Sequence, residues 1–204
     1  MAKAAKSANT LKALRDFTWI ILSYRGMLRA SEGADLHECD IWVENYTQPD
    51  NSFIPIIYLL ITSQKTNPQT RITDRLQRKG SVVLIGSDPD PLICPLVWLT
   101  DLKLRRTREG VTSCLYLSKH IQVAGKVSPK SLNHIVKANI AGLGVDPKTF
   151  GSHSLRAGGA TEAATKGVDT YLIKRHGRWK SDAVYLYIHD TIKEKLKVSS
   201  ALCL

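Results

Sequence analysis

Apolar side chains at Leu11, Leu14, Phe17, Ile21 and Tyr24 recur at the spacing of one helical face and predict a first helix, which Gly26 interrupts. A second helical segment follows from Arg29 to Glu38 through Ala30, Ala34 and Leu36. The pattern then changes. Runs rich in β-branched and aromatic residues at 41–46, 53–62 and 81–85 predict three strands. Asn67-Pro68 closes the second run and opens a basic connection with Arg71, Arg75, Arg78 and Lys79. Helical signals return over 91–106, running through Pro95, and again from Ser128-Pro129 to the glycines at 142 and 144, with Leu132, Ile135, Val136 and Ile140 as the apolar face. Ser152 caps a small-residue helix reaching Gly167, Asp169 caps another that ends near Gly177, and Ser181 caps the last. On that last helix Val184, Ile188, Ile192 and Leu196 span an arc from about 0° to 120° at roughly 100° per residue. Tyr185 falls inside this stripe, near 100°, and is expected in the core. Tyr187 falls about 60° outside it, free to face a cleft.

The pattern predicts an α+β domain, mainly α, with a small antiparallel sheet inserted after the second helix. Residues 1–10, rich in Ala, Lys and Ser, read as a linker or disordered N-terminus; the domain proper runs 11–196, and 197–204 form a tail.

Composition narrows the classes. The chain has 204 residues, 43% hydrophobic and 23% charged, enough for a core and unlike disordered or fibrous sequences. The longest apolar stretch, Phe53 to Ile61, contains Pro55 and is too short to span a bilayer. No charged segment followed by an apolar one opens the chain, so an intracellular home without membrane contact is expected. Cys39, Cys94, Cys114 and Cys203 are scattered and form no C-x-x-C pair, which argues against a disulfide framework or zinc module; His37 and Cys39 lack a second ligand pair nearby.

Charge changes the picture more. The net charge is +11, which points to a polyanionic partner, most often nucleic acid. Residues 1–60 carry six basic and seven acidic side chains, whereas 61–204 carry 23 and 11. Two thirds of the chain therefore hold the whole excess.

Chemistry concentrates in a few motifs. His153-Ser154-Leu155-Arg156 forms an H-x-x-R box; Trp179, in Gly177-Arg178-Trp179-Lys180-Ser181, lies 26 residues after His153; and Tyr187-Ile188 follows. Upstream stand Arg29, with Glu32 three positions on, and Lys65 in Ser63-Gln64-Lys65-Thr66. In this order and spacing the positions resemble the catalytic domain of the tyrosine recombinase family, over roughly Leu11 to Leu196. The Gly-Arg-Trp-Lys-Ser-Asp-Ala spelling is similar to recombinases of eukaryotic mobile elements. Tyr187 lies eight positions after Trp179, one fewer than in many bacterial members.

The resemblance implies a site-specific DNA recombinase or integrase that cuts and rejoins double-stranded DNA without metal, ATP or other cofactor. Arg29 and Arg156 are expected to clamp the scissile phosphate, because a guanidinium stays charged and offers a planar set of donors. Tyr187 would be the nucleophile; its ordinary pKa of about 10 demands the cationic setting that the arginines and His153 supply. Lys65 would protonate the departing 5′ oxygen. Trp179, at the family's His-or-Trp position, would give its indole N–H to a phosphate oxygen; the interval selects it over His176. Glu32 would orient Arg29 or His153. Small residues after Arg156, Ala157-Gly158-Gly159-Ala160, would let a backbone or the DNA approach closely.

Family members usually carry a separate helical DNA-binding domain ahead of the catalytic one. Only about ten residues precede the first predicted helix, so a fragment, a reduced form or reliance on a partner is expected. The segment from Lys193 to Leu204 is basic, then apolar, and suits docking on a neighbouring protomer in a tetramer on DNA. Two rivals are a type IB topoisomerase, which shares the arginine–lysine–tyrosine chemistry, and a non-catalytic DNA-binding relic of the same fold.

Overall fold

A computed structural model describes residues 1–8, 10–62, 80–110, 128–189 and 192–201. Residues 2–8, expected within a linker, instead form a helix (α1, Ala2–Ala8); alanine favours helix, and Ala5 is buried against the core. The first long helix (α2, Leu11–Arg25) begins where the Thr10 hydroxyl accepts the Ala13 N–H at 3.1 Å. The next (α3, Ala30–Asp35) is shorter than expected. Leu36 turns to extended backbone, and a 3-10 turn, Glu38–Asp40, follows, in which Asp40 accepts the His37 N–H at 3.1 Å.

Three strands then pair antiparallel in sequence order: β1 (Ile41–Thr47), β2 (Phe53–Thr62) and β3 (Gly80–Gly86). Ile57 opposes Ile85 and Leu59 opposes Val83, and all four are buried, so one face of the sheet meets the core. Pro55 sits in the central strand opposite Asn45 of β1, but pairing with β3 starts only at Ile56. The proline thus occupies a stretch with a single neighbour, where its missing N–H is tolerated. The basic connection between β2 and β3, with Lys65, Arg71, Arg75, Arg78 and Lys79, lies outside the described residues.

The expected helix over 91–106 begins at Pro95 rather than running through it (α4, Pro95–Arg108). Proline lacks an N–H and has a fixed φ, which suits a first turn and not an interior. Three further helices follow: α5 (Pro129–Ala141), capped by Ser128; α6 (Ser152–Thr165), entered from Gly151; and α7 (Thr170–His176), capped by Asp169. The last expected helix divides. Asp182–Leu186 is a 3-10 segment capped by Ser181, and α8 spans Ile192–Ala201, across the expected boundary with the tail.

The main core surrounds α2, where Trp19 and Leu22 are essentially inaccessible. It joins the inner sheet face to Trp98, Leu99 and Leu102 of α4 and to Leu132 and Val136 of α5. Phe17 and Trp98 meet with ring centroids 4.3 Å apart. Each fully buried Leu or Ile contributes about 1.5–3 kcal/mol. A second, smaller cluster of Met27, Ala160, Ile173, Trp179 and Val184 carries Tyr187 and Ile188 at its margin.

The α2–α6 crossing uses the small residues after Arg156 for a protein backbone. A Cβ on Gly159 would stand 2.5 Å from the Tyr24 carbonyl oxygen. Neither atom belongs to a flexible side chain, so Gly159→Ala is expected to lower stability by about 1–3 kcal/mol. A urea midpoint unchanged from the parent protein would contradict this packing.

Candidate active site

Two chain segments about 150 residues apart meet here. The first is the turn that ends α2. Gly26 and Leu28 donate back to Leu22 and Ser23, and Met27 takes a left-handed conformation, φ 47°. The turn delivers Arg29 to the start of α3, where its N–H and its Nη1 both donate to Glu32, at 2.8 and 2.7 Å. The second is the loop after α7, where Arg178 is also left-handed, φ 61°. Such non-glycine positions cost on the order of 1–3 kcal/mol each and persist only when surrounding contacts impose them. Both stand at this one joint.

Arg156, from the first turn and a half of α6, fills the joint. It is 1% exposed, with Nη1 donating to the Met27 carbonyl and Nη2 to the Gly177 carbonyl at 2.6 Å. Its guanidinium carbon lies 3.8 Å from the Trp179 ring centroid and 5.6 Å from that of Tyr187. Burial first, then the neighbouring charge of Arg29, pushes its pKa down to about 10, with Glu32 opposing. The cation therefore survives at neutral pH. Trp179 can lie there because Gly177 has no side chain; a Cβ would fall within the indole. Trp179 Nε1 and Arg156 Nε are buried and have no hydrogen-bond partner among the described residues.

Tyr187 completes the cluster. Its ring centroid is 4.8 Å from His153 and 5.1 Å from Trp179. Its N–H donates to the Val184 carbonyl at 2.9 Å, and its carbonyl accepts the Thr161 hydroxyl at 2.9 Å. The two tyrosines separate, but not as the helical wheel predicts. Tyr185 is 63% exposed instead of buried, because the segment is 3-10 and the stripe does not continue. Val184 is buried, whereas Ile192 and Leu196 are exposed.

Arg29, Glu32, His153, Arg156, Trp179 and Tyr187 thus converge, and Lys65 lies outside the described residues. Arg29 and Arg156 differ in kind: the Arg29 side chain is 46% exposed, while Arg156 is sealed and committed to backbone carbonyls. His176 stays apart, its Nε2 2.8 Å from the Arg25 carbonyl oxygen, and burial lowers its pKa. Arg178 was not singled out by the sequence reading. Its side chain makes an ion pair with Glu32 at 2.7 Å and reaches the carbonyls of Gly26, Met27 and His176. The one sequence signal for it was its place between Gly177 and Trp179.

Glu32 accordingly serves Arg29 and Arg178. Burial raises its pKa, but the Arg178 bond and charge and the two Arg29 bonds outweigh it, and the carboxyl is held below its ordinary value. Its stabilising contribution is full above the unfolded value of about 4.3 and is lost as pH falls toward the folded one. Glu32→Gln is expected to show a shallower loss of stability below about pH 4.3 than the parent. Parallel urea midpoints against pH for the two proteins would contradict the assignment.

No family model matches the chain. An integrase/recombinase XerD homologue of Selenomonas ruminantium is 42% identical over 187 residues, covering 88% of this chain and 48% of that protein. A post-cleavage complex of the XerH site-specific recombinase bound to palindromic difH substrate superposes with TM-score 0.69 at 15% identity, covering 98% of this chain and 49% of that one. The XerH pre-cleavage complex gives 0.64 at 17% identity, covering 99% and 51%. The chain therefore has the fold of a tyrosine recombinase catalytic domain, and it spans about half the length of the relatives it matches.

Proposed function

We propose that this chain is the catalytic part of a tyrosine recombinase that cuts and rejoins double-stranded DNA at specific sites. The observation that carries the reading is the seat of Tyr187: a phenol whose ring touches His153, Trp179 and Arg156 beside the exposed guanidinium of Arg29. A phenol needs such a cationic setting to attack phosphorus near neutral pH. The XerD homologue and the XerH fold favour the same reading, and the recombinase name of the former favours it over a topoisomerase.

In this scheme Tyr187 gives its phenolic proton to the adjacent His153 as its oxygen forms a bond to phosphorus and the bond to the 5′ oxygen breaks, and Lys65 gives that departing oxygen its proton. Arg29, Arg156 and His153 stabilise the extra charge on the phosphoryl oxygens, and Glu32 orients Arg29. Trp179 offers its indole N–H, which has no partner among the described residues. The 3′-phosphotyrosyl ester keeps the bond energy, so the free 5′ hydroxyl, or one from a second duplex, reverses the step without ATP or metal. Trp179 at 3.8 Å and Tyr187 at 5.6 Å cover Arg156, so in this scheme phosphate contact with it goes with a shift of that aromatic cover.

The Gly177–Ala183 spelling supports a place among recombinases of eukaryotic mobile elements, acting in the nucleus in that case and otherwise in the cytoplasm with the DNA. Exposed Ile192 and Leu196 on α8 support docking between protomers, up to a tetramer on DNA.

The test is covalent trapping. A pool of nicked duplexes with randomised sequence is incubated with the protein, and adducts that survive denaturation are recovered and sequenced. Adducts on Tyr187 with a shared sequence are expected. Their absence across the pool, with DNA still bound, would leave a non-catalytic DNA-binding fold.

A further inference from the structure

Arg178 spends every nitrogen on protein. Nη1 donates to the Gly26 and His176 carbonyls at 3.2 and 2.8 Å, Nη2 to Met27 and to Glu32 at 3.2 and 2.7 Å, and Nε to Glu32 at 3.5 Å. The side chain is 11% exposed. Its own carbonyl accepts from Arg29 Nη2 at 3.3 Å, and the next residue, Trp179, covers Arg156 at 3.8 Å. The Met27 carbonyl takes donors from both Arg156 and Arg178. One guanidinium therefore ties the turn that delivers Arg29 to the loop that covers Arg156, across 146 to 152 positions of chain.

We propose that Arg178 is a positioning residue of the strand-transfer reaction, setting the spacing of Arg29, Arg156 and Trp179 without itself binding phosphate. The inference rests on the reading of the site given above. A guanidinium is required because its planar set of five donors reaches the carboxylate and the carbonyls together, whereas an ammonium presents a single point. A misplacement of about 1 Å in reacting groups costs roughly a hundredfold in rate, so loss of this tie acts on turnover more than on affinity.

The experiment compares the parent, Arg178→Asn and Arg178→Lys on the duplex recovered by trapping. Asparagine tolerates the left-handed backbone at this position, and lysine keeps the charge should the asparagine variant fail to fold. Both variants are expected to bind DNA within about twofold of the parent and to form adducts about ten- to a hundredfold more slowly. The deficit should lie in the single-turnover rate at saturating DNA, and hydrogen exchange at the Gly26–Arg29 turn should accelerate. Full rate in Arg178→Lys, a deficit that lies in affinity, or an unchanged turn in hydrogen exchange would overturn the proposal. An inactive parent whose turn still loosens in the variants would indicate instead that the strand-transfer reading has failed.

Discussion

Tyr187→Phe is expected to bind duplex DNA with the parent's affinity and to form no covalent adduct. The contacts that seat this residue belong to its ring and backbone: His153 at 4.8 Å, Trp179 at 5.1 Å, and main-chain bonds to Val184 and Thr161 at 2.9 Å. Phenylalanine preserves all of them and removes one oxygen. Stability should therefore change little while the chemical step disappears. Denaturing gels with a nicked duplex, alongside equilibrium binding, make the measurement. Adducts that persist in Tyr187→Phe and vanish in Tyr185→Phe would transfer the role to the exposed neighbour.

Arg156→Ala is expected to lose both folding stability and rate. The guanidinium satisfies two buried carbonyls, Met27 and Gly177, and supports the Trp179 ring. Gly177 loses its donor, at a cost of about 1–3 kcal/mol, whereas the Met27 carbonyl keeps the donor from Arg178 at 3.2 Å. On the chemical side, removing one preorganised donor from a charged transition state slows it about 10²–10³-fold. Arg156→Lys keeps a charge but cannot bridge two carbonyls, so it should recover little of either. The two variants separate the contributions when urea midpoints and single-turnover adduct rates are read together. An Ala variant as stable as the parent would mean that the Gly177 carbonyl finds another donor.

Much of the scaffold was legible because it depends on local periodicity. The apolar face of α2, the Ser128-Pro129 start of α5 and the three strand runs are fixed by neighbours close in sequence. The errors arose where a local rule had two readings. Pro95 was compatible with a helix interior only if the helix began earlier, and it marks the first turn instead. Val184, Ile188, Ile192 and Leu196 keep helical spacing across a chain that is 3-10 up to Leu186 and starts a new helix at Ile192, so their regularity carried no common face. The site divides in the same way. The described motif residues converge, but Arg178 was out of reach, because its importance depends on left-handed backbone at Met27 and at itself and on contacts made across most of the chain. Glu32 could be matched to Arg29 from their spacing, not to Arg178.

The aromatic roof over Arg156 bears on timing. Trp179 and Tyr187 shield a cation that is 1% exposed, while the Arg29 side chain is 46% exposed. An arginine-directed reagent such as phenylglyoxal should therefore tag Arg29 in the free protein and spare Arg156. On the proposed reading, DNA reaches the hidden charge only as this two-ring cover shifts, so exposure of Arg156 and release of the phenol are coupled.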